Sequence, residues 1–293
     1  MKKLLTQVGF TKDDNQPFIR FSEGEQIDLR KLKFGESINL RFNKTARHCT
    51  GWFNPNTGEN HVCPTKEIVE SKYEQCKECM AKTGFNPSFY NADSISTAQA
   101  EYNTNPHILY LAYFSPNDIK IGISHAGRNL SRLLEQGARL AYILETFPSA
   151  NIARHYEGQI GRFDGIVENV KLGHKMELLT QSFNATLAEK ILQIKKTEIE
   201  ERLQTKFENY KLVETEKYFL APNFNSDDLR QAISVEEQAR ISGEFIGMIG
   251  QIMLCRQGDN LLALPLKKLT GYFFEEPNQA IEIEVAPAQF SLF

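Results

Sequence analysis

Four cysteines in the N-terminal part of the chain carry the strongest chemical signal of the sequence. Two of them form Cys76-Lys-Glu-Cys79, whose two-residue spacer lets both thiolates face one tetrahedral ion. Cys49 and Cys63 precede this pair within turn-rich sequence. Four thiolates complete the coordination shell of Zn²⁺ and leave no open position for a substrate. We therefore predict a structural zinc site with the ligands Cys49, Cys63, Cys76 and Cys79.

A redox-active dithiol is the alternative interpretation of the Cys-x-x-Cys pair. It would leave Cys49 and Cys63 without a role, and no thioredoxin-like βαβ pattern surrounds the pair. The fifth cysteine, Cys255, stands alone in an apolar run and is predicted to be a small buried side chain. Five cysteines cannot all pair within one chain, which fits a reducing compartment. We expect a cytoplasmic protein.

A β-hairpin is predicted in the centre of the chain. The segments Ile108–Phe114 and Ile119–Ser124 are rich in Tyr, Ile and Phe, and they flank Ser115-Pro-Asn-Asp118. Proline presets φ in such a tetrad, and Asn and Asp bond their own backbone, so the tetrad is typical of a turn. Gly122 lies inside the second strand, where a glycine indicates a bulge or the close approach of another group.

Two helices and a third strand are predicted to follow the hairpin. Leucines spaced i, i+3, i+4 predict the first helix, and a glycine ends it. This helix places Arg128 and Arg132 one turn apart on one face. The third strand candidate is Leu140–Phe147. Ser149 is the predicted N-cap of the second helix, which carries Glu157.

This order of elements and residues resembles the GIY-YIG nuclease domain. In that family a Tyr from each hairpin strand, a helical Arg and a helical Glu surround the scissile phosphate, and the Glu binds one divalent metal ion. The resemblance implies site roles for Tyr110, Arg132 and Glu157, with Arg128 as a rival for the Arg role. The first motif lacks its Gly, and the second reads Lys-Ile-Gly, so that Lys120 stands where the second Tyr is expected.

The resemblance implies hydrolysis of a phosphodiester with Mg²⁺ or Mn²⁺ held by Glu157. Arg132 would brace the phosphate with its fork of N–H donors. Tyr110 would orient the attacking water or help to deprotonate it. Lys120 would act as a base with a lowered pKa or bind phosphate as a point charge. The structural alternatives are a core position for Tyr110, a surface ion pair of Arg132 with Glu157, and a solvated Lys120.

The remaining sequence predicts an α+β protein of several parts. Residues 1–80 form a small β unit stapled by zinc, residues 81–106 a polar linker, and residues 107–165 a three-stranded antiparallel sheet with helices. Residues 166–293 contribute a long helix, Asn184–Tyr210, and a glycine-rich small β barrel or sheet. The whole chain is also similar to an uncharacterised bacterial family of unknown function with this arrangement of parts.

Charge and composition leave three classes of function open. The net charge of −3 argues against a protein that coats nucleic acid non-specifically. Arg47 and Lys44 belong to a locally basic N-terminal segment, which is either a solvated surface or a phosphate-facing patch. No apolar run is long enough for a membrane span. The classes are a metal-dependent nuclease, a protein that binds DNA or structured RNA without cleaving it, and a protein–protein adaptor.

Overall fold

The computed structural model describes residues 2–70, 72–85 and 95–283. Its strands are β1 (Lys3–Phe10), β2 (Pro17–Glu23), β3 (Gln26–Lys31), β4 (Ser37–Asn43), β5 (Trp52–Phe53), β6 (Asn60–His61), β7 (His107–Ser115), β8 (Asp118–His125), β9 (Leu140–Phe147), β10 (Ile166–Val167), β11 (Lys211–Val213), β12 (Ile233–Ser234), β13 (Arg240–Ile249), β14 (Ile252–Gln257), β15 (Asn260–Pro265) and β16 (Phe273–Glu275). Its α-helices are α1 (Lys77–Thr83), α2 (Thr97–Asn103), α3 (Ser131–Gln136), α4 (Ala150–Ile160), α5 (Leu172–Leu179) and α6 (Ala185–Leu203). The predicted α+β class is confirmed.

The larger sheet combines strands from both ends of the chain. Its order is β12-β15-β14-β13-β4-β16-β1-β2-β3. Strand β4 is therefore hydrogen-bonded to β13 on one side, where Leu40 pairs with Ile241, and to β16 on the other. Strands from the ranges 1–80 and 166–293 thus share one sheet and one apolar core. Local sequence patterns do not encode pairing between residues so far apart in the chain.

The smaller sheet contains the predicted hairpin and the predicted third strand. Strand β7 pairs antiparallel with β8 and with β9, and Ser115 and Asp118 close the turn between β7 and β8. The short β10 adds a parallel edge beside Ile119 and Lys120 of β8. Strand β11 pairs with the outer side of β9. The three-stranded antiparallel centre is as predicted, and the two short edge strands extend it to five.

Helices cover both faces of the smaller sheet. Successive side chains of a strand point to opposite faces, and β7 follows this rule. Leu109 packs in one apolar cluster with Ala153 of α4 and Leu192 of α6. Tyr110 packs in another cluster with Leu133 of α3. Helices α3 and α4 therefore lie on opposite faces of the sheet.

The six-residue helix α3 also contacts the nine-stranded sheet. Its Leu133 faces the smaller sheet, whereas Leu134 belongs to the core of the larger one. At the end of α3, Gly137 approaches Gly250 in the turn between β13 and β14. A Cβ built on Gly137 would stand 3.1 Å from the Cα of Gly250. Both glycines have positive φ, 79° and 62°, so the contact needs their conformational freedom and their lack of a side chain.

The ends of the longer helices follow capping rules. Ser149 is the N-cap of α4, as predicted, and Asn184 is the N-cap of α6. Helix α6 ends at Leu203, earlier than predicted, because Gln204 adopts a left-handed conformation. In the described parts of the chain, no helix is both long and apolar enough to cross a membrane.

The predicted linker, residues 81–106, is partly described. Its residues 95–106 include α2, whose N-cap Ser96 also donates a hydrogen bond to the carbonyl oxygen of Gly84 after α1. Helix α2 is thus attached directly to the end of α1. Residues 86–94, which the linker prediction also covers, lie outside the described residues.

Gly247 of β13 provides a test of the packing of the larger sheet. A Cβ at this position would lie 2.0 Å from the backbone carbonyl oxygen of Phe219. Because backbone cannot swing aside, Gly247→Ala should lower the free energy of unfolding by about 3 kcal/mol in urea denaturation. Gly158→Ala in α4 is the matched control, since nothing lies within 4 Å of its Cβ position. The control should be neutral or stabilising by about 0.5 kcal/mol, and equal losses in both variants would contradict this packing.

Candidate functional site

The four predicted cysteine ligands lie together in one buried cluster. The Sγ atoms of Cys49, Cys63, Cys76 and Cys79 all lie within 4.8 Å of one another. Each residue is at most 3% exposed, and none is in a disulfide. Within the described residues, this is the one group of three or more His, Cys, Asp or Glu side chains placed to hold a metal ion. The cluster is therefore a candidate metal site.

The local backbone directs N–H groups at the sulfur atoms. Cys76 is the N-cap of α1, and its Sγ accepts a hydrogen bond from the N–H of Cys79. The Sγ of Cys49 accepts from the N–H groups of Cys76 at 3.1 Å and Gly51 at 3.4 Å. Gly51 has a φ of 88°, and a Cβ there would stand 2.0 Å from the carbonyl oxygen of His61. Such N–H donors stabilise negative charge on the sulfurs, and the loop that supplies them requires glycine.

Burial opposes the ionisation of Cys49, Cys63 and Cys79 when no cation is present. It raises the pKa of Cys49 to about 11 and raises the pKa of Cys79 as well. Burial acts in the same direction on Cys63, but hydrogen bonds from Thr65 and from the backbone outweigh it and lower the pKa of Cys63 to about 6. A metal ion among the sulfurs removes the cost of burying several thiolates. The four-sulfur donor set thus fits a thiophilic metal ion.

Tyr110 and Lys120, two of the predicted catalytic residues, lie on the face of the smaller sheet that α3 covers. The register pairs Tyr110 with Gly122 and Ala112 with Lys120, so Tyr110 and Lys120 point to the same face. Tyr110 is 1% exposed, and its ring lies over Gly122. A Cβ on Gly122 would stand 2.5 Å from the phenol oxygen of Tyr110. The strand glycine therefore marks a close approach, as the sequence predicted.

Two arginines reach this face from α3 and from the residues before it. The charge of Arg132 acts on the phenol of Tyr110 and favours its ionisation. Arg128 donates to the carboxylate of Glu135 at 2.6 Å, whereas Arg132 stands 3.7 Å from the same carboxylate. Glu135 thus neutralises Arg128 more than Arg132. This difference favours Arg132 over its rival as the arginine available to an anionic ligand.

Glu157 comes from α4, on the opposite face of the sheet. Its mostly buried carboxylate forms an ion pair with Arg154. Its charge nevertheless acts on both Tyr110 and Lys120. Helix α4 packs against β8, and the short β10 covers the outer side of β8 only at Ile119 and Lys120. The charge of Glu157 thus acts on Tyr110 and Lys120 from the other side of the sheet, and its ion-pair partner is Arg154.

Burial and neighbouring charges shift the pKa values of Tyr110, Lys120 and Glu157. Burial raises the pKa of Tyr110 to about 12, and the charge of Arg132 opposes the rise. Burial and the charge of Arg132 lower the pKa of Lys120, while the carboxylate of Glu157 opposes this shift. Burial raises the pKa of Glu157, and the charges of Arg154 and Lys120 oppose it. The arrangement combines a neutral phenol, two cations and a carboxylate in a region with limited access to water.

The structure adds two residues that the sequence analysis did not identify. Lys175 of α5 lies over the ring of Phe114, which packs in the cluster of Tyr110, and the charges of Lys120 and Arg132 act on it. Glu168 follows β10, and its backbone carbonyl oxygen accepts a hydrogen bond from Lys120. The carboxylate of Glu168 also contributes to the raised pKa of Glu157. No local pattern marks Lys175 or Glu168, because only the tertiary fold brings them to this region.

The two N-terminal phosphate-binding candidates lie elsewhere. Arg47 has a side chain that is only 10% exposed and donates to the backbone and hydroxyl oxygens of Thr270 at 2.9 and 3.2 Å. It also stands 3.6 Å from the carboxylate of Glu74. Arg47 therefore connects the cysteine-containing segment to the larger sheet. Lys44 is exposed in the turn after β4.

The contact between Tyr110 and Gly122 predicts a coupling that a double-mutant cycle can measure. Gly122→Ala should lower the free energy of unfolding by about 2 kcal/mol, because the added Cβ collides with the phenol ring. In a Tyr110→Ala background the ring is absent, so the same change should cost little and reveal a coupling of about 1–3 kcal/mol. Urea denaturation of the four proteins gives this value. Additive losses would contradict the close approach.

Comparison with known proteins identifies a family but supplies no activity. No curated protein matches the chain, and no solved structure matches it. These two comparisons therefore do not confirm the resemblance to the GIY-YIG domain. A family model described as "Protein of unknown function (DUF2797)" matches residues 35–274, a range that includes both the cysteine cluster and the group around Tyr110. The chain belongs to the DUF2797 family of proteins of unknown function.

Proposed function

We propose that this protein is a metal-dependent nuclease that hydrolyses phosphodiester bonds of DNA or RNA with a site of GIY-YIG type. The observation that carries this proposal is that the charges of Arg132 and Glu157 both act on Tyr110 and Lys120, which point to one face of the sheet. The four residues come from α3, α4, β7 and β8. A local concentration of ionisable groups with shifted pKa values is typical of a functional site.

The cations would bind and polarise the scissile phosphate. Arg132 offers a planar fork of N–H donors, and Lys120 offers a compact positive charge. Because the pKa of Tyr110 is raised to about 12, its phenol stays protonated at neutral pH. The phenol would donate a hydrogen bond to the phosphate or orient the attacking water, which requires its hydroxyl to become accessible because Tyr110 is 1% exposed. The neighbouring guanidinium of Arg132 stabilises any negative charge that develops on the phenol oxygen.

Glu157 would hold Mg²⁺ or Mn²⁺, which supplies Lewis-acid stabilisation of the leaving oxygen. Mg²⁺ in proteins commonly takes one or two carboxylates and retains water ligands. Glu157 provides one carboxylate, and Glu168 is near enough to influence its pKa. These donors fit such an ion. Arg154 is paired with Glu157, so the ion has to compete with that pair.

Binding of nucleic acid without cleavage is the second candidate function. The ion pair of Arg154 with Glu157 favours it, because a carboxylate held by a guanidinium is a weaker metal ligand. Lys120 in place of the second Tyr favours it as well. A site of this kind would still attract phosphates through Lys120 and Arg132.

We also propose that the cysteine cluster binds Zn²⁺ as a structural ion. The Sγ atoms of Cys63 and Cys76 are 3.9 Å apart. Zn–S bonds of about 2.3 Å in a tetrahedral shell place two sulfurs ~3.8 Å apart, close to this value. Four sulfur ligands close the shell, so the ion would hold β5, β6 and α1 together rather than act on a substrate.

Cleavage assays with single-stranded, duplex and structured DNA and RNA test the nuclease proposal. With Mg²⁺ or Mn²⁺ the protein should cleave at least one of these substrates, and a chelator should stop the reaction. Glu157→Gln should abolish cleavage because it removes the proposed metal ligand. Arg132→Ala should lower kcat/KM by about 100-fold or more, because it removes stabilisation of charge in the transition state.

Glu201→Gln is the matched control for Glu157→Gln, since Glu201 is exposed on α6. It should leave cleavage unchanged, and circular dichroism should show that every variant is folded. Nucleic-acid binding that survives Glu157→Gln, combined with no cleavage by the unmodified protein, would select the second candidate. The absence of both binding and cleavage would contradict both candidates.

The zinc proposal predicts about one Zn²⁺ per chain by elemental analysis of protein purified without a chelator. Cys76→Ser should lose this zinc and unfold the segment around α1, because metal binding and folding are coupled in such small units. Cys255→Ala is the matched control. Its thiol is buried in the larger core, so the zinc content should not change. A metal-free protein with the same melting temperature in the presence and absence of Zn²⁺ would exclude this role.

A further inference from the structure

Lys175 belongs to the site by its position, although the proposed mechanism assigns it no role. Its Nζ donates a hydrogen bond of 2.6 Å to the carbonyl oxygen of Gln136, the last residue of α3. The same atom stands 5.2 Å from the centre of the Phe114 ring. Phe114 packs in the cluster of Tyr110, so Lys175 lies on the face of the sheet to which Tyr110 and Lys120 point. Burial lowers the pKa of Lys175 to about 8, and the charges of Lys120 and Arg132 act in the same direction.

Two lysines of this region stand outside its ion pairs. Arg128 and Arg132 face the carboxylate of Glu135, and Arg154 pairs with Glu157. In the part of the chain that the structure describes, no ion pair includes Lys120 or Lys175. Bringing like charges together away from water costs free energy unless an anion neutralises them. The arrangement therefore favours the binding of an anion.

We propose that Lys175 is a third cationic ligand, which binds one phosphate group of the nucleic acid together with Lys120 and Arg132. The proposal rests on the proposed function of this site. An ammonium group has three donors, and Lys175 uses one of them on Gln136, as Lys120 uses one on the carbonyl oxygen of Glu168. Each lysine is thus anchored by a neighbouring backbone segment and keeps donors for phosphate oxygens.

A different result is expected if Lys175 has only a structural role. Its hydrogen bond to Gln136 places a positive charge at the C-terminal end of α3, where a cation stabilises a helix. If this were its whole role, a phosphate ion would not change the environment of Lys175. A bound phosphate, in contrast, would raise the pKa of the amine and shield it from reagents.

The test measures the rate of acetylation of each lysine by mass spectrometry at about pH 8, where a lysine of this kind is partly deprotonated. Inorganic phosphate is added over a range of concentrations, with ionic strength held constant by sodium chloride. Phosphate should slow the acetylation of Lys175 and Lys120 with the same saturation curve. Lys217, with a side chain 59% exposed, is the control and should not change.

Two variants separate the charge of Lys175 from its packing. Lys175→Met keeps an unbranched apolar stem against Phe114 but removes the charge, and Lys175→Arg keeps the charge. In Lys175→Met, the phosphate concentration that halves the acetylation rate of Lys120 should rise about tenfold. This is the effect expected for the loss of one charge-assisted contact. In Lys175→Arg this concentration should stay within about twofold of the original value.

The outcomes distinguish this inference from the nuclease proposal. Protection of Lys175 in a protein that cleaves no nucleic acid would support the phosphate site and contradict hydrolysis. Acetylation of Lys175 that does not respond to phosphate would overturn the inference, even if the protein cleaves nucleic acid. Equal half-protection of Lys120 in the original protein and in Lys175→Met would overturn it as well. If Lys175→Met does not fold, the protection of Lys175 in the unmodified protein decides the question.

Discussion

The contact of helix α3 with two sheets is the constraint on which the candidate site depends. Leu133 packs against the smaller sheet and Leu134 against the larger one, while the backbones of Gly137 and Gly250 touch at the end of the helix. A six-residue helix has little stability of its own. Its position, and with it the direction of Arg132, is therefore set by packing. The larger sheet, built from both ends of the chain, thus supports a site whose predicted residues lie between positions 110 and 157.

The smaller sheet brings ionisable side chains from different elements under one another's influence. Gly122 has no side chain, so the Tyr110 ring occupies the space above it. Lys120 points to the same face, and the charges of Arg132 and Glu157 act on both residues. Burial of these ionisable groups costs free energy, as their shifted pKa values show. Groups with such shifted pKa values are concentrated at functional sites of proteins.

The segment that carries the cysteine cluster is too small to form a core of its own, but hydrogen bonds connect it to the rest of the protein. Its strands β5 and β6 have two residues each, too few to bury a core of their own. Arg47 connects this segment to the larger sheet through Thr270, and Asn56 donates to Glu101 of α2 at 3.0 Å. A metal ion at the four sulfurs would therefore stabilise a unit that contacts both the larger sheet and the helix preceding β7.

The sequence by itself determined the features that depend on neighbouring residues. The spacing of Cys76 and Cys79, the turn at Ser115–Asp118 and the N-cap Ser149 all follow from local chemistry, and the structure has each of them. Such features need only a few adjacent residues, because backbone geometry and short-range hydrogen bonds decide them.

Only the tertiary structure decided which distant elements meet. It placed β4 between β13 and β16, put Glu157 on a helix across the sheet from Tyr110, and added Lys175 and Glu168 to the group. It also used Arg47 as an internal connection rather than as a free surface cation. Strand pairing across the chain is selected by the total apolar surface that the whole fold buries. No short segment of the sequence contains that information.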